Sequence, residues 1–351
     1  MEHAWGEDRI LTHWETGKKL FLASQDKTLP FPPPRFLSIW LSQVCNLDCT
    51  YCFFAESNHD KGKTFAQVRP TLDWLRDVRE AGAEALEFSG GGEPTLHPQF
   101  YEVLAETFRM GYQLGLITHA CNDMLHETLS KALRYIRCGL DAATTGTHDL
   151  IKQNKRKNYW FPRAVENIKE LVKRRDEREA RGRATFTVGI KVVLNAINKH
   201  ELGAMIELAR KLGVDYLQVK YEHSSDSGID ERERKSLQDV LDLEACCAGG
   251  SGRTKIMGKL FHQRATVKCF MSPIHTVVTA TGEILQCCFF EERPIGTIFQ
   301  DFGEVWGGEQ HRRVMEMTTV NECDKVDCRW HYYNRRMKEI VEDPLASMSF
   351  I

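Results

Sequence analysis

The run Phe36-Leu37-Ser38-Ile39-Trp40-Leu41 is followed, after Ser42-Gln43-Val44, by Cys45-Asn46-Leu47-Asp48-Cys49-Thr50-Tyr51-Cys52. The first stretch is short and apolar, and Pro30, Pro32, Pro33 and Pro34 precede it as a stiff extended connector unfit for a helix interior. It reads as a buried strand that opens a domain. The second stretch sets three cysteines at a CxxxCxxC spacing on the loop leaving the strand's carboxyl end. Three thiols on one short loop can face one point, as a metal centre requires.

The same alternation continues along the chain. Strands are expected at Phe36–Leu41, Ala85–Ser89, Gln113–Thr118, Tyr135–Asp141, Thr185–Leu194 and Tyr216–Lys220. Helices are expected at Pro70–Ala81, Pro98–Met110, Asp123–Arg134, Pro162–Arg181 and Lys199–Leu212, several of them stopped by Gly. Strands joined by such crossovers are parallel. Six units give an α/β fold with both sheet faces covered, as a partial barrel or a doubly wound sheet, and active residues at the strands' carboxyl ends. After Lys220 a polar loop, a charged helix and Gly-rich 248–252 read as a linker. A smaller Cys-rich domain follows, with His275–Thr279 and Glu283–Phe289 as a hairpin around Thr281 and Gly282, then two helices. The expected divisions are 1–35 lead-in and connector, 36–225 catalytic domain, 226–261 linker and helix, 262–335 Cys-rich domain and 336–351 tail.

The 351 residues are 42% hydrophobic, with 47 Lys plus Arg against 49 Asp plus Glu, so charge implies neither a nucleic-acid nor a membrane partner. Apolar runs reach only about six to eight residues against the roughly 20 that span a bilayer. The first thirty residues lack the core of a secretory signal, so a cytoplasmic location is expected. Twelve cysteines in such a chain suggest metal. A four-iron, four-sulfur cluster normally takes four thiolates, and a triad leaves one iron open. Half a zinc site is the alternative, but it needs a fourth ligand, and His59 sits in a polar loop at no fixed spacing.

The CxxxCxxC triad with Tyr51 before its last cysteine, at the end of the first strand of a six-unit parallel fold, resembles the radical S-adenosylmethionine superfamily. Gly90-Gly91-Gly92-Glu93-Pro94, after strand two, resembles that family's GGE motif, which implies that Gly91, Gly92 and Glu93 hold the cofactor's methionyl amine. Arg137-Cys138-Gly139-Leu140-Asp141-Ala142-Ala143 is similar to the family's SLDA run, with Gly139 where Ser is usual, leaving Asp141 as the ribose contact. Asn195, closing strand five, is a further cofactor contact by the same resemblance, and Tyr51 belongs to the same set. Cys269, Gly282 and Cys287 resemble the opening of SPASM and Twitch auxiliary-cluster domains. Cys323 and Cys328 complete a plausible four, closer to Twitch because a CxxCxxxxxC arrangement is absent. A tetrahedral zinc site of four cysteines is the alternative. Cys288 could exchange roles with Cys287; if Cys287 faces the cluster from a strand, Cys288 faces away, as a hydrogen donor to substrate or as a buried apolar residue. His331 could replace a cysteine, and His119 could meet substrate.

The resemblance implies a partial (β/α)6 TIM-type barrel with a Cys-rich auxiliary domain, two 4Fe-4S clusters and S-adenosyl-L-methionine. It implies that an electron from a flavodoxin or ferredoxin cleaves the cofactor to methionine and a 5'-deoxyadenosyl radical, which takes a hydrogen from substrate. About 35 residues precede the barrel, fewer than the roughly 80 of a peptide-recognition domain, so a small-molecule substrate is the first reading. Peptide or protein modification is the second. A non-catalytic iron-sulfur or zinc module is the third.

Overall fold

The computed structural model describes residues 19, 26, 28–54, 64–124, 126–153, 158–222, 228–247, 252–261, 265–324, 328 and 330–342. The lead-in helix expected before Pro30 lies almost wholly outside them, as does most of the 336–351 tail. In chain order the elements are β1 (Phe36–Ile39), α1 (Val68–Ala81), β2 (Ala85–Phe88), α2 (Phe100–Arg109), β3 (Gln113–Thr118), α3 (Glu127–Ala132), β4 (Leu133–Gly139), α4 (Thr145–Lys152), α5 (Trp160–Ala180), β5 (Thr187–Leu194), α6 (Leu202–Leu212), β6 (Tyr216–Tyr221), α7 (Glu231–Cys247) and β7 (Lys255–Lys259). Then come β8 (His275–Val278), β9 (Glu283–Leu285), β10 (Pro294–Thr297), α8 (Phe302–Val305), α9 (Glu309–Met317), α10 (Val320–Cys323) and α11 (His331–Glu342).

The chain forms two compact units, and the division falls inside β1. The larger comprises Ile39–Val68 and Ala85–Phe261. Its strands β2 to β7 are neighbours in sequence order, and every pair is parallel. The alternation along β5 explains the layering: Val188, Ile190, Val192 and Leu194 are buried, while Lys191 and Val193 on the other face are only half-buried. Helix α5 supplies Ala164, Ile168 and Leu171, and α6 supplies Met205, Ile206 and Ala209, as buried stripes. The architecture is the α/β partial barrel. It has one parallel strand more than the six expected, because Lys255-Ile256-Met257-Gly258-Lys259, inside the segment read as linker and helix, pairs with β6. Flanking lysines and a central glycine hid that strand.

The inward face is cut to fit large side chains. A Cβ on Gly115 would lie 2.3 Å from the Tyr135 ring, and one on Gly189 would lie 2.0 Å from the Tyr216 ring. Each tyrosine therefore stands over a glycine of the neighbouring strand.

The smaller unit comprises Met1–Ser38, Arg69–Glu84 and His262–Ile351. Strands β8, β9 and β10 form an antiparallel meander, with β1 next to β8 in the sheet order. Gly282, at φ +87°, makes the β8–β9 turn, its N–H donating to the Thr279 carbonyl at 3.0 Å. The proline connector is anchored here by Trp306 Nε1–H, which donates to the Pro32 carbonyl at 2.7 Å. Strand β9 ends at Leu285 rather than Phe289. Cys287 and Cys288 thus lie in a turn, closed by Phe290 N–H to the Cys287 carbonyl at 3.2 Å, and strand alternation does not separate them.

Candidate functional site

The cysteine loop is held by backbone bonds on two sides. On one, Gly92 N–H donates to the Ser42 carbonyl at 2.7 Å and Glu93 N–H to the Val44 carbonyl at 2.9 Å. Gly92 allows this approach: a Cβ there would sit 2.3 Å from the Val44 carbonyl oxygen. On the other side, Asp48 N–H donates to the Lys152 carbonyl at 3.0 Å and Thr50 N–H to the Ile151 carbonyl at 2.9 Å. These carbonyls belong to the last turn of α4 and have no partner inside the helix. The loop amides fill that vacancy.

Cys45, Cys49 and Cys52 are each half-buried on this loop. Burial pushes the Cys45 thiol up to about 12, and Glu93, Cys49 and Cys52 push the same way. Burial also raises Cys49, against an opposing pull from Lys152, and it raises Cys52. The three thiols act electrostatically on one another and are the donor type that a cluster with one open iron takes.

Glu93 closes a ring of hydrogen bonds beside them. Its Oε1 accepts from Thr95 Oγ1 at 2.6 Å and Thr118 Oγ1 at 2.7 Å, and its Oε2 accepts from His119 N–H at 3.0 Å. His119 Nδ1 accepts from Cys121 N–H at 3.0 Å, so the ring proton is on Nε2, which donates to Asn46 Oδ1 at 2.8 Å. Asn46 Nδ2 donates to Asn122 Oδ1 at 3.0 Å, and Asn122 Nδ2 donates to Thr95 Oγ1 at 2.8 Å. Burial lowers the His119 imidazole and keeps it neutral, with Glu93 pulling the other way. The ring ties the GGE-like turn, the cysteine loop and the end of β3 together. The sequence marked Glu93 and His119 but not Asn46, Thr95, Thr118 or Asn122, which carry no spacing signal.

Asp141 is committed to protein donors. Tyr51 Oη donates to its Oδ2 at 2.5 Å, Val193 N–H donates to Oδ1 at 2.6 Å, and Lys152 forms an ion pair with Oδ2. Lys152 Nζ also donates to Tyr51 Oη at 3.0 Å. Burial alone would raise the Asp141 carboxyl, but Lys152 and these hydrogen bonds hold it below the usual range. Tyr51 and Asp141 therefore meet each other directly, and Lys152, which the sequence did not mark, contacts both. Asn195 is buried and forms a turn of its own, Oδ1 accepting from Ile197 N–H at 3.0 Å.

In the smaller unit, Cys269 Sγ accepts from Ser272 N–H at 3.3 Å, and Asn334 Oδ1 caps Phe270 N–H and Met271 N–H at 2.7 and 3.1 Å. Burial pushes Cys323 up to about 12, with Cys269 and Cys328 next to act on it. A hydrogen bond with Cys288 is the largest cause that raises Cys287, followed by burial, and Cys269 contributes. Cys269 thus acts electrostatically on both Cys287 and Cys323, and the Cys288 thiol meets Cys287 instead of facing away from it, while among the described residues no three Cys, His, Asp or Glu side chains are grouped closely enough to hold a metal ion.

The radical SAM superfamily profile matches residues 41–209, the span holding the triad, the glycine turn and β2 to β5. Residues 41–209 thus form a radical SAM domain by this match. A 4Fe-4S cluster and S-adenosyl-L-methionine are the cofactors that go with this match. The tungsten-containing aldehyde ferredoxin oxidoreductase cofactor-modifying protein of Pyrococcus furiosus is 24% identical over 192 residues, 53% of this chain and 51% of that one. The match thus spans about half the length of that relative. A probable GTP 3',8-cyclase of Saccharolobus islandicus is 23% identical over 303 residues, 81% of this chain and 91% of that one. The crystal structure of Streptococcus suis SuiB bound to S-adenosylmethionine has a TM-score of 0.63 at 14% identity, covering 90% of this chain and 75% of that one. This likeness establishes the shared fold. No described helix is long and apolar enough to cross a membrane.

Proposed function

We propose that this enzyme cleaves S-adenosyl-L-methionine reductively at a cluster held by Cys45, Cys49 and Cys52, and removes a hydrogen atom from a small organic substrate. The observation that carries the reading is the cysteine loop locked between the Gly92-Glu93 backbone and the last turn of α4. When bound, the cluster supplies one electron from an external flavodoxin- or ferredoxin-class donor to the sulfonium, so that its bond to C5' breaks and the adenosyl carbon can take a hydrogen atom. The chain's own part is placement. Glu93 offers an anionic acceptor for the cofactor's ammonium, and the hydrogen-bonded ring fixes that carboxylate. Asp141 and Tyr51 shape the ribose side, with Asn195 holding the turn after β5. Cys269, Cys287, Cys323 and Cys328 hold the auxiliary cluster, and Cys288 stands beside it as a candidate hydrogen donor.

A small substrate suits the inward face of the barrel, and the GTP cyclase relative is named for a small substrate. Peptide modification is the second reading, drawn from SuiB, also solved with its precursor peptide SuiA. Anaerobic incubation with a strong reductant should yield 5'-deoxyadenosine and methionine, and replacement of Cys45, Cys49 and Cys52 by Ala should abolish both. About eight irons are expected per chain, about four surviving in that variant. Intact S-adenosylmethionine after incubation of fully loaded protein would overturn the reading. Zinc in place of the residual four irons would remove the auxiliary cluster from it.

A further inference from the structure

The inward face of β4, β5 and β6 brings together three cations, Arg137, Lys191 and Lys220, with Arg137 in an ion pair with Glu87 of β2. Strand register places Arg137 opposite Gly189 and Gly189 opposite Tyr216, then Gly139 opposite Lys191 and Lys191 opposite Gln218, then Val193 opposite Lys220. Side chains two apart share a face, so Tyr135, Arg137, Lys191, Tyr216, Gln218 and Lys220 all point inward.

Among the described residues, Asp141 and Glu87 are the anions that act most on Lys191. Glu87 accepts from Tyr135 Oη and lies 3.7 Å from Arg137 Nη2. Asp141 is taken by Lys152, Tyr51 and the Val193 amide. Lys191 itself has no hydrogen-bond or ion-pair partner among the described residues. The Arg137 Nε atom is buried and equally without a hydrogen-bond partner among them. Burial, then Arg137 and Lys220, lower the Lys191 ammonium to about 8, while Asp141 and Glu87 oppose them. Lysine and arginine only donate, so the missing partner is an acceptor, and an anionic one would relieve the mutual repulsion.

We propose that Lys191, with Arg137 and Lys220, anchors an oxyanion group of the substrate, a carboxylate or a phosphate, on the inward face of the barrel. The anchor lies two residues along the strand from Asp141's level, about 7 Å at the rise of a strand. Tyr135 and Tyr216 stand on its other side, toward the amino ends of the strands. A substrate held there by its anionic end presents its remaining carbons toward the cofactor side. The inference rests on the reading that the substrate occupies this face.

Calorimetric titration of the cluster-loaded protein, with S-adenosylmethionine present and no reductant, tests the anchor apart from turnover. Sulfate serves as the phosphate-like probe because it stays a dianion from pH 6.5 to 9.5, and acetate serves as the carboxylate probe. At pH 6.5 one of them should bind, and its affinity should fall tenfold or more by pH 9.5 as Lys191 loses its proton. The tighter probe assigns the group. Lys191→Gln should weaken binding at pH 6.5 at least tenfold and flatten the pH profile, while Lys191→Arg should keep binding at both pH values. Iron content and circular dichroism matching the wild type show that each variant is folded. Binding of neither probe, or binding unchanged by Lys191→Gln, overturns the anchor. Cleavage of S-adenosylmethionine by the wild-type protein is measured separately, so failure of the cleavage reading and failure of the anchor are told apart.

Discussion

Lys152 and Asp141 form a buried ion pair, with side chains 3% and 1% exposed, directly behind the loop that carries the cysteine triad. The pair is held by Tyr51 from the loop side and by the Val193 amide from β5. Lys152→Met leaves a carboxylate buried without its cation and should cost about 3 to 5 kcal/mol. Lys152→Met combined with Asp141→Asn should recover part of that loss. Denaturant titrations of the wild type, Lys152→Met, Asp141→Asn and the double variant give the coupling, and strictly additive effects would show that the pair acts as two independent residues.

Gly92→Ala should disturb the cysteine loop specifically, because the new methyl would meet the Val44 carbonyl one residue before Cys45. The expected result is loss of the triad's iron with about four irons retained on the second set. Iron and sulfide analysis of the purified variant checks it, and full iron content would mean that the two backbones separate without harm.

Glu93→Gln replaces an acceptor of three or more bonds with a group that must present a donor to Thr118, Thr95 or His119. Binding of S-adenosylmethionine should weaken about tenfold or more, in keeping with the roughly 1.5 to 3 kcal/mol of a charge-assisted bond. Equilibrium dialysis with unchanged affinity would reduce the glycine turn to a purely structural role.

Cys288→Ala separates two fates of the substrate radical. If this thiol supplies a hydrogen atom, the variant should still consume S-adenosylmethionine yet fail to form the normal product, with iron unchanged. Normal product from the variant would favour oxidation through the auxiliary cluster.

His311 offers a pH test of the smaller unit. It is fully buried against Trp306 and Phe31, its Nδ1 accepts from Gly307 N–H at 3.0 Å, and burial followed by Arg312 lowers the imidazole to about 3. The unfolded chain takes a proton below about 6.5, whereas the folded one resists until about 3. Stability is therefore intact above pH 6.5 and falls by up to about 1.4 kcal/mol per pH unit on the way down. Urea titrations at pH 7.5 and 5 should show this slope, and His311→Gln should flatten it.

The strands were legible because buried parallel strands are short apolar runs, as in Leu114-Gly115-Leu116-Ile117 and Gly189-Ile190-Lys191-Val192-Val193-Leu194. The triad was legible because its spacing is local. Lys152 was not, since its partners Asp141 and Tyr51 lie 11 and 101 residues away and only the folded chain brings them together. Cys287 and Cys288 read as strand because Ile284 to Phe289 is apolar except for Gln286, but the chain turns after Leu285. The pairing of Tyr135 with Gly115 and of Tyr216 with Gly189 depends on register, which composition does not encode.

The loop bonds to α4 have a consequence for assembly. Asp48 and Thr50 find their acceptors in the Lys152 and Ile151 carbonyls, bonds that backbone groups make by themselves, so the course of the chain between Cys45 and Cys52 is expected to be set before a cluster is loaded. Iron and sulfide then enter a preorganised cradle, and little further conformational entropy is lost on capture. The amides of Asp48 and Thr50 should already be slow to exchange with deuterium in metal-free protein.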